Sequence, residues 1–250
     1  MTRPTEVLDY YSVDALSNSA IKQIHQSPAH YKVWAETKRQ PSDAMRIGTA
    51  LHSYVLDGIR NFPIYGGATK TLNSKEGRQF LMTYPNGLTY EEYLAVKSMG
   101  ESILSVELLA GIIKRSKREL QIYGSELSSD GLKVPVKAML DSVTDAAILD
   151  LKTTSDPATR FPYAVKSYSY DIQAAWYLHM AKTHYDGRED RSFYFVVVES
   201  FAPYGVLIYE AKPETIASGW DKCKAAIDVY AHCKTWNRWP GYDTNTILSV

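Results

Sequence analysis

The chain has 250 residues, 45% of them hydrophobic and 22% charged, a length and composition that suit one large globular domain or two small ones around a buried core. Basic and acidic side chains number 28 each, so net charge gives no pointer to a polyanionic partner and excludes none, because binding needs a local basic surface. No apolar run approaches the ~18–20 residues of a membrane span, and Cys223 and Cys233 lack C-x-x-C spacing or a secretory hydrophobic region, so the expectation is a soluble protein with reduced thiols in a cytosol.

The first twelve residues read as a loose lead-in. Ser17-Asn18-Ser19 precedes the apolar-periodic AIKQIHQ and is a helix N-cap signal; hydroxyls and free N–H groups at a helix start also suit phosphate. Pro28 fits the first turn of a second helix, AHYKVWAET. After a polar linker at 36–43, AMRIGTALHSYVLDG reads as a helix with Met45, Ile47, Leu51, Val55 and Leu56 as its stripe and His52 beside it. Residues 60–87 carry Gly66-Gly67, Asn73 and Pro85-Asn86-Gly87 and are expected to be irregular. A helix from Thr89 to about Ser105 and a short one to Ile113 follow, ending in the basic run Lys114–Arg118, a solvated face or a DNA contact.

The texture then changes from a period of 3.6 to one of 2. LQIYGSE alternates weakly, SSDG at 128–131 marks a turn, and LKVPVKAMLD alternates cleanly. Val134, Val136, Ala138 and Leu140 share one face; Lys133, Lys137, Met139 and Asp141 share the other. Pro135 donates no ladder bond and belongs at an edge or bulge. Thr144-Asp145 turns the chain into AAILDLKTT, and after SDPATRFP comes a loop, then a helix from about Tyr170 to Thr183. RSFYFVVVES has the apolar run of a strand buried on both faces, and PYGVLIYE pairs with it. Pro213 to about Lys234 is a helix with Ile216, Trp220, Cys223, Ile227, Tyr230 and Cys233 on one stripe, facing a core or another subunit. WNRWPGY reads as a peripheral tail.

Charge placement in this pattern points to chemistry. Asp150 and Lys152, two apart on a strand, project to the same side, at the end of an apolar segment and nine residues after Asp141. Exposed, such a pair is a surface ion pair of little value. At the end of a buried strand, carboxylates need a cation or a mutual partner. Mg²⁺ or Mn²⁺ takes oxygen ligands from such groups, and Lys152 would orient water or neutralise charge on phosphorus. Gln173 and Tyr177, at i and i+4 on the next helix, add an amide and a phenol on one face.

Asp141, Asp150-Leu151-Lys152 and Gln173-Ala174-Ala175-Trp176-Tyr177 together resemble the PD-(D/E)XK nuclease superfamily, and the Q-x-x-x-Y helix its RecB-like and phage-exonuclease branches. LSNSAIKQIHQSPAHYKVW, MRIGTALHSYVLD, DLKTTSDP and SYDIQAAWY are similar to the RecE-like (exonuclease VIII) nuclease domain over roughly residues 10–200. The resemblance implies an α/β, restriction-endonuclease-like core: a mixed central sheet flanked by helices, with a helical N-terminal region. It implies one nuclease domain over 1–250, mainly helical over 1–115 and sheet-containing over 116–250. His52, Asp141 and Asp150 match the metal ligands, the Leu151 carbonyl an extra one, Lys152 the catalytic lysine, and Gln173 and Tyr177 the motif helix beside the active site, with Gln173 also at the DNA. Ser19 lies where related exonucleases contact a terminal 5′ phosphate. The second acid is Asp where the wider superfamily favours Glu. Glu119 and Glu126 flank the first strand, one step back from the metal.

The activity so implied is Mg²⁺-dependent 5′-to-3′ degradation of linear double-stranded DNA, leaving 3′ single-stranded tails. Its partners would be DNA ends and a single-strand annealing recombinase of the RecT kind, in the cytoplasm of a bacterial or phage-infected cell. A homo-oligomeric ring, trimer or tetramer, would turn basic residues such as 114–118 toward a channel. The alternatives are an endonuclease or RecB-like module acting on branched or single-stranded DNA, and a non-catalytic DNA-end-binding protein.

Overall fold

The computed structural model describes residues 9–37, 40–69 and 71–243. Hydroxyl caps set the starts of the early helices by satisfying N–H groups that have no partner inside the helix. Ser17 accepts from Ala20 and opens α1 (Asn18–Gln26); Ser27 accepts from His30 and opens α2 (Pro28–Glu36); Ser42 accepts from Met45 and opens α3 (Asp43–Val55). In α3, Leu51 and Val55 are buried as the periodicity requires, together with Ala50 and Tyr54, whereas Met45 is exposed.

Residues 60–87 are not irregular throughout. Ser74 caps α4 (Lys75–Thr83), and Asn73 and Pro85 lie just outside its ends instead of interrupting it. Gly77 is its only fully buried residue, so its sequence has no apolar stripe to reveal it. A reciprocal capping box of Thr89 and Glu92 starts α5 (Tyr90–Ser105), and α6 (Glu107–Arg115) follows directly. Glu92 also receives both terminal nitrogens of Arg46, at 2.5 and 2.7 Å, and Arg46 further donates to the Gly87 carbonyl and to Asp43. This buried, bidentate pair clamps α3 to the start of α5.

The sheet comprises β1 (Lys117–Leu127), β2 (Lys133–Val143), β3 (Ala147–Thr154), β4 (Ser192–Glu199) and β5 (Val206–Glu210), in that spatial order. Only β3 and β4 run parallel, so the sheet is mixed, and the required crossover carries α7 (Phe161–Ser167) and α8 (Tyr170–Ala181). The stretch before Tyr170, expected to be loop, therefore holds a 3₁₀ turn (Ala158–Arg160) and α7; both are too short to show a period in sequence. Past Ala181 the helix widens into a π-turn (Lys182–Asp186).

β2 pairs with β3 only at Ser142 and Val143, which leaves its first half open on that side. Pro135 sits there, and Leu16 docks alongside, donating to the Pro135 carbonyl and accepting from Lys137 N–H. Lys137 is buried, not solvated like Lys133: its ammonium donates to the carbonyls of Tyr10 and Val13. The lead-in is therefore fastened from Tyr10 onward.

Two apolar layers cover the sheet. Phe193, Phe195 and Val197 of β4 face one core with Ile172, Ala174 and Trp176 of α8; Val196 and Val198 face the other with Leu51 of α3 and Met99 of α5. Both faces of β4 are thus buried. In α9 (Pro213–Trp236), Cys223, Ile227 and Tyr230 pack into the first core and Cys233 is buried, and Trp239 beyond it packs on Tyr31 and Tyr230, so that part of the tail belongs to the core. The helices α8 and α9 touch at Gly219, where a Cβ would lie 2.0 Å from the Asp171 carbonyl oxygen. In α6, by contrast, a Cβ on Gly111 would meet only the Arg115 side chain, at 3.6 Å. Gly219→Ala should therefore destabilise by about 1–3 kcal/mol through forced separation of the helices, while Gly111→Ala should stabilise by about 0.4–1 kcal/mol. Urea denaturation of both variants checks the sign at each position.

Candidate active site

The β2–β3 register, Ser142 against Leu149 and Val143 against Ile148, carries Asp141 toward Asp150. Asp141 Oδ2 accepts the Leu151 N–H at 2.8 Å, which fixes its carboxylate across the gap where the strands part. From the opposite layer, α3 brings in His52. Its Nε2 lies 3.2 Å from the Leu151 carbonyl oxygen and donates there, and its Nδ1 faces Asp141 at 3.6 Å and Glu119 at 4.0 Å. The Leu151 carbonyl, expected as a metal ligand, is thus engaged by His52.

Glu119 completes the group. The β1–β2 pairs on either side of it, Arg118 with Ser142 and Leu120 with Leu140, place it opposite Asp141. Its backbone is left-handed, φ 48°, which is unfavourable for a glutamate and occurs here beside the reactive groups. Ligand atoms of His52, Glu119 and Asp141 lie within 4.8 Å of one another. Burial, with the Asp141 charge adding to it, raises the Glu119 carboxyl to about 7.

Asp150 sits deeper, 1% exposed. Gln173 Nε2 donates to its Oδ1 at 2.6 Å; its Oδ2 touches the Lys152 ammonium and has no hydrogen bond from any other group. Burial pushes the Asp150 carboxyl up, Lys152 pulls it down and Asp141 adds to the rise. Burial alone would lower the Lys152 ammonium, but Asp150 and Asp141 more than offset it, so the amine stays charged. The Tyr177 phenol, buried beside Gln173, is held well above its ordinary value by burial and then by Asp150, and stays protonated.

These groups line a cleft of about 560 Å³ together with Tyr10, Asn18 and the exposed Ser19. A larger cleft of about 760 Å³ borders α8, α9 and β4, but the acids converge only in the smaller one. Sequence reasoning set Glu119 aside and missed Lys22 and Tyr170. Lys22 of α1 lies 4.8 Å from the centre of the Tyr170 ring, and Lys152 lies 5.0 Å from it. Burial, and then Lys152, lower the Lys22 amine to about 8. Counting back from the SSDG turn would have placed Glu119 opposite Asp141; no signal marks Lys22, which the α1–α8 packing brings in. Of the basic run 114–118, Arg118 donates to the Leu56 carbonyl and Lys117 lies over the Tyr185 ring.

The residues present fit a divalent cation. Two carboxylates and an imidazole nitrogen converge, the acids repel one another, and the buried Asp150 Oδ2 beside them is met by Lys152 alone. Oxygen donors suit Mg²⁺, and the imidazole also admits Mn²⁺.

A family model described as a PDDEXK-like domain of unknown function (DUF3799) matches residues 17–246. No curated protein matches the chain. The crystal structure of a candidate exonuclease from Eubacterium rectale shares the fold, with TM-score 0.61 and 17% identity over 92% of this chain and 86% of that one. A phage-related exonuclease from Haemophilus somnus 129PT matches at TM-score 0.41 and 13% identity over 90% and 96% of the two chains.

The raised Glu119 carboxyl has a consequence for stability without metal. Its folded value exceeds the ordinary 4.5, so its contribution is fully present below that pH and is lost as pH rises through about 7. In EDTA, Glu119→Gln should lose less stability than wild type between pH 5 and pH 8, by about 1 kcal/mol after allowing for solvent screening of a partly exposed group. Parallel pH dependences in urea denaturation would show that Glu119 is not held near the other acids.

Proposed function

The chain belongs to the PDDEXK-like family whose model spans residues 17–246, and we propose that it is a divalent-metal-dependent nuclease acting on DNA. The observation that carries this reading is the convergence on Asp150: Lys152 and Gln173 both contact its buried carboxylate, beside the His52–Glu119–Asp141 group. His52, Glu119 and Asp141 would hold the cation, with Asp150 beside them. When bound, such an ion polarises a phosphodiester oxygen and lowers the pKa of water.

The chain's own groups do the rest. Lys152, kept charged by its acidic neighbours, neutralises charge that builds on the phosphorus oxygens. Gln173 holds Asp150 in one orientation, and the protonated Tyr177 phenol packs beside that amide. Lys22, poised near 8, gains its proton fully when a phosphate approaches. The N-terminus of α1, with Ser17 and Ser19 at the cleft, offers N–H groups to the same anion.

The finer reading is exonucleolytic: 5′-to-3′ resection of linear duplex with Mg²⁺ or Mn²⁺, leaving 3′ tails. The Gln173–Tyr177 spacing and the RecE-like segments around Ser19 and His52 support it. The same resemblance supports a trimeric or tetrameric ring and an annealing recombinase that takes over the tails; in such a ring, residues 114–118 turned toward the channel would reconcile zero net charge with DNA binding.

With Mg²⁺, the protein should shorten end-labelled linear duplex and leave a covalently closed circle intact, and a 5′ phosphate should speed digestion. Lys152→Ala should lower the rate at least ~10²-fold while DNA binding persists in a gel-shift assay. Cleavage of the closed circle would replace the exonuclease with an endonuclease. Equal rates for Lys152→Ala and wild type would overturn the catalytic assignment.

A further inference from the structure

A second group of metal-ligating side chains lies outside the cleft. Glu126 on β1, His179 near the end of α8 and His184 in the π-turn converge so that their ligand atoms fall within 4.8 Å of one another. His179 Nε2 is 2.7 Å and His184 Nε2 is 2.6 Å from the same oxygen, Glu126 Oε1. The side chains are 15–20% exposed, so the cluster is reached by solvent yet not spread over the surface. Glu126 lies seven positions along β1 from Glu119, about 23 Å of extended chain. The two clusters are therefore distinct.

Several independent features aim these side chains at one point. On a regular α-helix, residues five apart face about 140° from one another. The π-turn at Lys182–Asp186 removes that divergence and turns His184 toward His179; such turns recur at functional sites. Gly124 leaves the space His184 occupies: a Cβ there would lie 2.4 Å from His184 Nδ1 and 2.5 Å from Cγ. The His179 ring is stacked on Trp220, with centroids 4.0 Å apart, and its Nδ1 faces the Thr183 hydroxyl at 3.5 Å. That outer contact presents Nε2 inward. Burial would raise the Glu126 carboxyl, but the hydrogen bonds from His179 and His184 more than offset it, so an anion faces the two rings.

We propose that Glu126, His179 and His184 form a transition-metal site, of which Zn²⁺ is the expected occupant. Two imidazole nitrogens and one carboxylate oxygen are the donor set such an ion takes at about 2.0–2.2 Å, with water as the fourth ligand on the exposed side. Binding frees each Nε2 lone pair, with the ring proton carried on Nδ1 and any second proton going to solvent, and separates the ligand atoms slightly from their present hydrogen-bonded spacing. The ion would tie β1, an edge strand, to the end of α8, whose earlier turns carry Gln173 and Tyr177. The site is independent of whether the other cleft cuts DNA.

The test is Co²⁺ and Zn²⁺ binding to the full chain after EDTA treatment. Co²⁺ should give visible d–d absorption in Asp141→Asn, whose cleft site is disabled, and adding His184→Asn or Glu126→Gln to it should abolish the absorption while circular dichroism stays unchanged. Zn²⁺ at a hundredfold excess over Kd should raise Tm by about 5 °C, an effect that His184→Asn removes. Should those variants fail to fold, mapping of diethyl pyrocarbonate modification on wild type decides: Zn²⁺ should protect His179 and His184. Absorption in Asp141→Asn that survives the added His184→Asn, or no absorption in Asp141→Asn at all, would overturn the proposal, as would unprotected histidines. In those cases the cluster is a hydrogen-bonded clasp alone.

Discussion

Mutual repulsion among two buried acids and one half-buried one is the constraint on which the rest of the molecule depends. Glu119, Asp141 and Asp150 are drawn into one cleft, and each is electrostatically coupled to another of the three. A cluster of this kind is unfavourable unless protons, cations or hydrogen bonds offset it. The fold supplies all three in part. Lys152 and Gln173 attend to Asp150, the Leu151 N–H attends to Asp141, and Glu119 holds a proton to about pH 7. What remains unbalanced is a space between carboxylates and an imidazole that a divalent cation fits.

Holding such a cluster together requires rigid supports from both layers. His52 reaches the site because α3 is clamped to α5 through Arg46 and Glu92, far from the acids themselves. Gln173 reaches it because Trp176, three residues on, is fully buried and donates to the Lys137 carbonyl. Lys137 in turn fastens the lead-in by two carbonyls, bringing Tyr10 to the cleft wall. The cleft thus draws on contacts with no chemistry of their own. The cluster at Glu126 extends this pattern, since it secures the far end of α8 to the sheet edge.

Much of the architecture is legible in the residues because the signals are local. A hydroxyl cap announces α1, Pro28 the first turn of α2 and an apolar stripe α3, alternation announces β2, and an unbroken apolar run announces β4 with both faces buried. Where the sequence misleads, a local signal is missing. α4 buries too little to show a stripe, and α7 is shorter than two turns. Lys137 alternates with solvent-facing positions, yet the chain before α1 folds over it and supplies carbonyl partners.

The sequence by itself determined the two acids, the Asp-x-Lys pair and the Gln–Tyr helix, because periods of 2 and 3.6 decide which neighbours along one element share a face. It also determined that the centre is an α/β sheet with helices around it. Only the tertiary structure decided that His52 crosses from another layer, that Glu119, left-handed within β1, adds a third carboxylate, and that Lys22 approaches Lys152. These are contacts between elements distant in sequence, set by sheet register and helix packing, and no local pattern encodes them. The π-turn that pairs His184 with His179 is likewise read from the folded chain, because five-residue spacing on an ordinary helix would point the two rings apart.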